Sequence, residues 1–168
     1  MNSKRQAIIG VDNGARSGAM CALCPESGIL LGHSLMPVAS MGGTPESDPL
    51  ALVRWMDAFD CVAVAIEEPP KHAQSAAAMR SMSLSFGICY GAMIYAKLPV
   101  CRVSVHEWQK VMLGKVPKGL TKQYALRRAN ELWPEEAWLP SKRSSVVHDG
   151  LVDAALIACY TLGRMLGK

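Results

Sequence analysis

The sequence contains no stretch of the roughly 18 uninterrupted apolar residues that a membrane span needs. Its opening, Met1 to Gln6, is short and polar, with no apolar signal core. A membrane-embedded protein is therefore excluded as an expectation, and a cytoplasmic one is expected. Internal repeats, low-complexity tracts and a linker-like shift in composition are missing as well. With 168 residues, half of them apolar, the chain reads as one domain spanning 1–168, long enough to bury a core. A second cysteine pair is also missing. Cys21 and Cys24 form a lone Cys-x-x-Cys in an apparent strand, where odd spacing sends the two thiols to opposite faces, so neither a zinc site nor a redox pair is expected. Cys61, Cys89, Cys101 and Cys159 lie inside apolar runs, as reduced core thiols do.

Charge is present but unevenly placed. Between Lys97 and Arg143 there are ten Lys and Arg against four acids, which leaves the remainder of the chain slightly acidic although the net charge is +4. A basic segment beside an acidic cluster fits the handling of phosphates near metal ions, and equally a solvated surface.

The periodicity gives the order β-β-β-α-β-α-β-α-α-α. Ala7 to Val11 is a short apolar run closed by Asn13-Gly14. Gly18 to Leu23 and Ile29 to Met36 continue it as an antiparallel meander. A Gly-, Pro- and Ser-rich loop, Pro37 to Pro49, follows. Leu50 to Phe59 has helical spacing after the N-cap signal Asp48-Pro49, and Cys61 to Ile66 reads as a strand buried on both faces. Ser75 to Ala96 reads as a buried helix with Met79, Met82 and Met93 as filler. Val100 to Val103 is a strand, Val105 to Met112 a helix and Gly114 to Thr121 a basic loop. A helix capped by Thr121 runs to about Leu132, and a last apolar helix runs from near His148 to about Gly163.

Against this frame four acids at three places stand out. Asp12 closes the first strand, Glu67 closes Val62 to Ile66, and Asp149 and Asp153 stack on one face of the last helix. Each has an ordinary explanation: a turn at Asp12-Asn13-Gly14, a loop acid at Glu67 or Glu68, a helix-dipole acid at Asp149. Together they point to a divalent-cation site, because clustered carboxylates repel one another unless a cation lies between them.

Three segments, Ile9-Gly10-Val11-Asp12-Asn13-Gly14-Ala15-Arg16-Ser17-Gly18, Val64-Ala65-Ile66-Glu67 and His148-Asp149-Gly150-Leu151-Val152-Asp153-Ala154-Ala155-Leu156-Ile157-Ala158, resemble the RuvC-like Holliday junction resolvases of the ribonuclease H-like superfamily. The resemblance runs from Ile8 to about Tyr160. It implies an α/β ribonuclease H-like fold with a mixed five-stranded sheet, order 3-2-1-4-5, flanked by helices. It also implies that Asp12, Glu67, Asp149 and Asp153 hold two Mg²⁺ or Mn²⁺ ions and hydrolyse branched DNA, four-way junctions above all, to 5′-phosphate and 3′-hydroxyl ends. No small-molecule cofactor is implied.

One departure from the bacterial pattern matters. There the last two ligands are three residues apart, whereas position 150 is Gly here and the acid lies at Asp149, a spacing similar to phage and mitochondrial-type relatives; His148 is the alternative ligand. A bacterial or phage-infected cell is the implied setting. Lys115, Lys118 and Lys122 are candidate phosphate clamps, and Lys71, Arg127, Arg128, Lys142 and Arg143 candidates for a wider DNA surface, each alone being equally readable as a solvated charge. A junction with near two-fold symmetry favours a C2 homodimer, with Ser75 to Ala96 available as its interface. The competing readings are an actin-like nucleotide-binding lobe, which opens on a similar Asp-x-Gly strand end but needs a second lobe, and a catalytically inactive binder of structured nucleic acid.

Overall fold

In a computed structural model, residues 3–14, 17–41, 44–71 and 75–167 are described. Ala15 and Arg16 of the first motif fall outside them. Among these described residues, seven strands and five helices occur in the order β1 (Arg5–Asp12), β2 (Ala19–Leu23), β3 (Leu30–Leu35), β4 (Val38–Met41), β5 (Thr44–Ser47), α1 (Pro49–Met56), β6 (Phe59–Glu67), α2 (Ala76–Tyr95), β7 (Val100–Val103), α3 (Val105–Leu113), α4 (Thr121–Leu132) and α5 (Asp149–Met165). The main sheet has the order β3-β2-β1-β6-β7. The three N-terminal strands form the antiparallel meander, while β6 and β7 run parallel to β1 through helical crossovers. This is the expected mixed five-stranded sheet.

The strand numbers differ from the expected 3-2-1-4-5 because the segment read as a loop, Pro37 to Pro49, contains a hairpin of its own, β4 paired with β5. Two other expectations are corrected. Phe59 begins β6 instead of ending α1, because β6 extends backward to pair with β1 from Arg5 onward. Thr121 is the first residue of α4 and provides no side-chain cap.

Alternation along the strands sorts the core into two layers. Ala7, Ile9, Val11, Val64 and Ile66 face α1 and α2, whose Leu52, Met56, Cys89 and Met93 complete that layer. Ile8, Ala19, Cys21 and Ala65 face the other way, against Trp108 of α3, Ala125 and Ala129 of α4 and the apolar side of α5. α5 crosses directly over β1 because Gly10 leaves room: a Cβ there would lie 2.0 Å from the Ala154 carbonyl oxygen and 2.6 Å from the Ala158 nitrogen.

α2 is not the buried helix expected. Only Ser85, Cys89 and Met93 are buried, whereas Leu84, Ile94 and Tyr95 stand exposed. Its apolar residues lie all round the helix, so one stripe covers the sheet and the rest faces outward. The six cysteines are free, as expected. Cys89 and Cys21 are core residues, but Cys101 is exposed on the edge strand β7 and Cys24 lies beyond the end of β2, so Cys21 and Cys24 do not share a strand. No helix among the described residues is long and apolar enough to cross a membrane.

Candidate metal centre and nucleic-acid face

The site follows from register. Val11 pairs with Ile66 on adjacent parallel strands, so the next residues, Asp12 and Glu67, are neighbours at the carboxyl edge of the sheet. Asp12 has the parity of Ile8 and Gly10, and Glu67 that of Ala65, so both carboxylates lie on the face that α5 covers. The close crossing of α5 at Gly10 then brings Asp153, one residue before Ala154, over the same edge. Strand closure is reinforced by the Asn13 side-chain amide, which donates to the Glu67 carbonyl, and by the Glu68 amide, which donates to the Val103 carbonyl at 2.8 Å.

Electrostatics reports the gathering. Asp12 is held well above the usual carboxylate range, first by burial and then by the charges of Glu67 and Asp153; the Gly14 amide, 3.4 Å from its Oδ1, opposes the shift. Asp153 is pushed up to about 7 by burial, Glu67 and Asp149, with Lys122 opposing. Glu67 is raised by burial and lowered by the indole N–H of Trp108, which donates to its Oε1 at 2.6 Å. Asp149 sits at the outer rim, paired through Oδ2 with the Lys122 ammonium at 2.5 Å, and that bond raises the Lys122 pKa.

Asp12, Glu67 and Asp153 therefore share one electrostatic environment, and Asp149 flanks it. Among the described residues, no three His, Cys, Asp or Glu side chains close into a ligand set. The donor chemistry nonetheless fits hard divalent cations: all four side chains are carboxylates, three of them raised by burial and two of those also by mutual repulsion, the condition that such a cation relieves.

Gly150 explains why the helix acid lies at 149. A Cβ at position 150 would sit 2.0 Å from the Ser17 carbonyl oxygen and 3.0 Å from Asp12 Oδ2. No acid can stand there while Ser17 and Asp12 keep their places. His148, the N-cap residue of α5, forms no side-chain cap bond, and its buried Nδ1 has no partner among the described residues; its ring lies against the same point as Asp12 Oδ2.

Comparison with solved structures gives a consistent picture. No protein-family model matches the sequence, and no curated protein is significantly similar to it. Thermus thermophilus RuvC in complex with a Holliday junction substrate superposes with a TM-score of 0.70 at 18% identity, over 96% of both chains. A second structure of Thermus thermophilus RuvC gives 0.61 at 18% identity, also over 96% of both. The yeast mitochondrial Holliday junction resolvase Ydc2 gives 0.60 at 14% identity, over 95% of this chain and 79% of the other. The fold is that of the RuvC resolvases.

On this RuvC-like frame two grooves include chain neighbours of the acids, Glu68 in one and Leu151 in the other, although none of the four acids lines either. One, of about 660 Å³, lies between the end of β6 and the start of α3 and is lined by Glu68, Pro69, Lys71, Ser104, His106 and Lys110. The other, of about 610 Å³, lies beside β3 and includes His33, Leu35, Glu136, Lys142 and Leu151. Of the sequence-selected cations, Lys71 and Lys142 line these grooves and Lys122 reaches the acids. Lys115, Lys118 and Arg143 are exposed. Arg127 and Arg128 both pair with Glu131 of their own helix, at 3.7 and 3.1 Å, and Arg127 also stacks on Tyr124. Trp108 was not singled out from sequence, Asn13 was read only as part of a turn, and Gly150 only as a departure in the spacing of the acids. Asn13 and Gly150 lie inside the quoted motifs, but nothing in the sequence separates Trp108 from an ordinary core tryptophan.

Proposed function

We propose that the chain is a metal-dependent, structure-selective endodeoxyribonuclease that resolves four-way and other branched DNA by paired nicks. The observation carrying this reading is the convergence of Asp12, Glu67 and Asp153 at one sheet edge under α5, in a fold shared with a RuvC solved on a Holliday junction. Asp12 and Glu67 from the strand ends, with Asp153 and Asp149 from α5, would hold two Mg²⁺ or Mn²⁺ ions; His148 is the alternative to Asp149. When bound, such an ion pair supplies an activated water for in-line attack and stabilises the leaving 3′-oxygen, leaving a 5′-phosphate.

The protein's own groups do the rest. β1 and β6 hold the inner carboxylates on a rigid edge, α5 covers the rear of the site, and Lys122 offers a cation at the rim. The grooves lined by Lys71 and Lys142 fit DNA strands leaving the site on either side, and Lys115, Lys118 and Arg143 extend the positive surface for phosphate contacts. Arg127 and Arg128, which share the single Glu131 carboxylate of α4, fit a peripheral contact.

Paired nicking calls for two sites, which a C2 homodimer supplies. The outward face of α2 fits that role: Leu84, Ile94 and Tyr95 are exposed, and Gly87 and Gly91 have open space where a second helix could approach.

The test is cleavage of a synthetic four-way junction. Asp12→Asn or Asp153→Asn abolishes Mg²⁺-dependent cutting while junction binding by gel shift is largely retained; normal cutting by both variants would remove the proposed site. Normal cutting by Asp149→Ala together with loss in His148→Ala would move the fourth ligand to His148. Calorimetric binding of ATP with Mg²⁺, in the absence of junction cutting, would instead favour the actin-like reading.

A further inference from the structure

We propose that Trp108 is a positioning residue for Glu67, fixing the carboxylate through its indole N–H so that the strand-borne ligand is presented in one orientation. The inference rests on the metal-nuclease reading above. α3 starts immediately after β7, the strand next to β6, and its start is fixed by Ser104, whose Oγ accepts the Glu107 amide at 3.2 Å. Trp108 lies one residue further along the first turn and is fully buried against α5-side core residues. A buried indole N–H needs an acceptor. Here the acceptor is neither a backbone carbonyl nor a neutral side chain but Glu67 Oε1 at 2.6 Å, a charge-assisted bond to an acid of the proposed centre.

Core packing alone does not explain this choice. Phenylalanine would fill an apolar site without an N–H to satisfy, whereas Trp108 and Glu67 each bury a polar group that only the other satisfies among the described residues. Glu67 is thereby held at both ends: Asn13 bonds its backbone carbonyl and Trp108 its carboxylate. Asp12, at the end of the neighbouring strand, has the Gly14 amide in the corresponding role. Outer groups that orient metal-binding carboxylates in this way typically change metal affinity or activity by about 10–100-fold when removed.

The experiment measures Mn²⁺ binding to the full-length chain, without DNA, from the paramagnetic resonance signal of free Mn²⁺. It compares the wild type, Trp108→Phe, Glu67→Gln and the double variant, with folding checked by circular dichroism in EDTA. Trp108→Phe is expected to remain folded and to weaken Mn²⁺ binding by about tenfold or more, with no further loss when added to Glu67→Gln, because it acts through that carboxylate. Unchanged Mn²⁺ affinity in Trp108→Phe, or a full additional loss in the Glu67→Gln background, overturns the inference and leaves the nuclease reading standing. A wild type that neither binds Mn²⁺ nor cuts junctions removes both. If Trp108→Phe does not fold, 3-benzothienylalanine at position 108 preserves the bicyclic shape while replacing N–H by sulfur, and the same comparison decides.

Discussion

At the scale of single residues, the site is defined as much by what cannot be added as by the acids themselves. Gly150 lies where the loop after β1 presses on α5, with the Ser17 carbonyl and Asp12 Oδ2 in the volume a side chain would fill. Gly150→Ala should therefore displace either that loop or the start of α5, and with it Asp12 or Asp149. The expected outcome is a stability loss of about 1–3 kcal/mol, as for overpacked sites, read from urea midpoints, with junction cleavage falling more than tenfold. Moving the acid, Asp149→Gly with Gly150→Asp, should restore the three-residue spacing to Asp153 on paper but not activity. A double variant that cuts normally would show that the loop yields easily and that helix spacing alone matters. The acids at Asp12, Glu67, Asp149 and Asp153 were legible because the first three close or open an apolar segment and Asp153 interrupts one, where a charge is conspicuous. Trp108 was not, since its partner is 41 positions away and only the fold makes them neighbours.

At the scale of elements, hydrophobic rhythm located nearly all the strands and helices but could not tell which faces they would bury. α2 has apolar residues all round, a pattern equally suited to a buried helix and to one with two partners, and among the described residues it is covered on one side only. The β4–β5 hairpin was hidden by composition: Pro45, Ser40 and the Gly42-Gly43 pair read as loop, although such a glycine pair is also a hairpin turn signal. Its link to the rest is polar, through Ser47 Oγ and Ser85 Oγ at 2.7 Å and from Ser85 to the Asn13 carbonyl. If the outward face of α2 is the dimer contact, Leu84→Glu with Tyr95→Glu should give a folded monomer by sedimentation equilibrium. That monomer should nick a junction once without the matched second cut. A wild-type chain that stays monomeric at tens of micromolar, where interfaces of standard size are occupied, would leave the face unassigned. The other decisive element contact is α5 on β1. Gly10→Val, placing carbons where Ala154 and Ala158 backbone atoms lie, should push the helix off the strand and lower the urea midpoint sharply, or prevent folding outright.

At the scale of the whole molecule, the clustered acids make the metal-free fold sensitive to pH in a direction set by their shifts. Asp153 titrates at about 7 against an ordinary 3.8, and Asp12 and Glu67 move the same way. Between those values the folded chain keeps protons that the unfolded chain has released. Unfolding is then favoured progressively as pH rises through the window, and the part of the trend due to Asp153 levels off above about 7, once its folded carboxyl has ionised. In EDTA, the melting temperature contributed by this cluster should accordingly fall from about pH 5 to about pH 8. A divalent cation reverses the trend, because it binds the ionised acids of the folded state and competes with the protons they hold, so the stabilisation by millimolar Mg²⁺ should grow over the same interval. Asp153→Asn removes one of the raised acids from the cluster: in EDTA it should melt higher than the wild type at about pH 8, show a flatter pH profile and gain little from Mg²⁺. Differential scanning calorimetry of both chains across the interval reads all three expectations. A wild-type profile that is flat or rises with pH in EDTA would mean that the acids do not burden one another as their placement at the sheet edge requires.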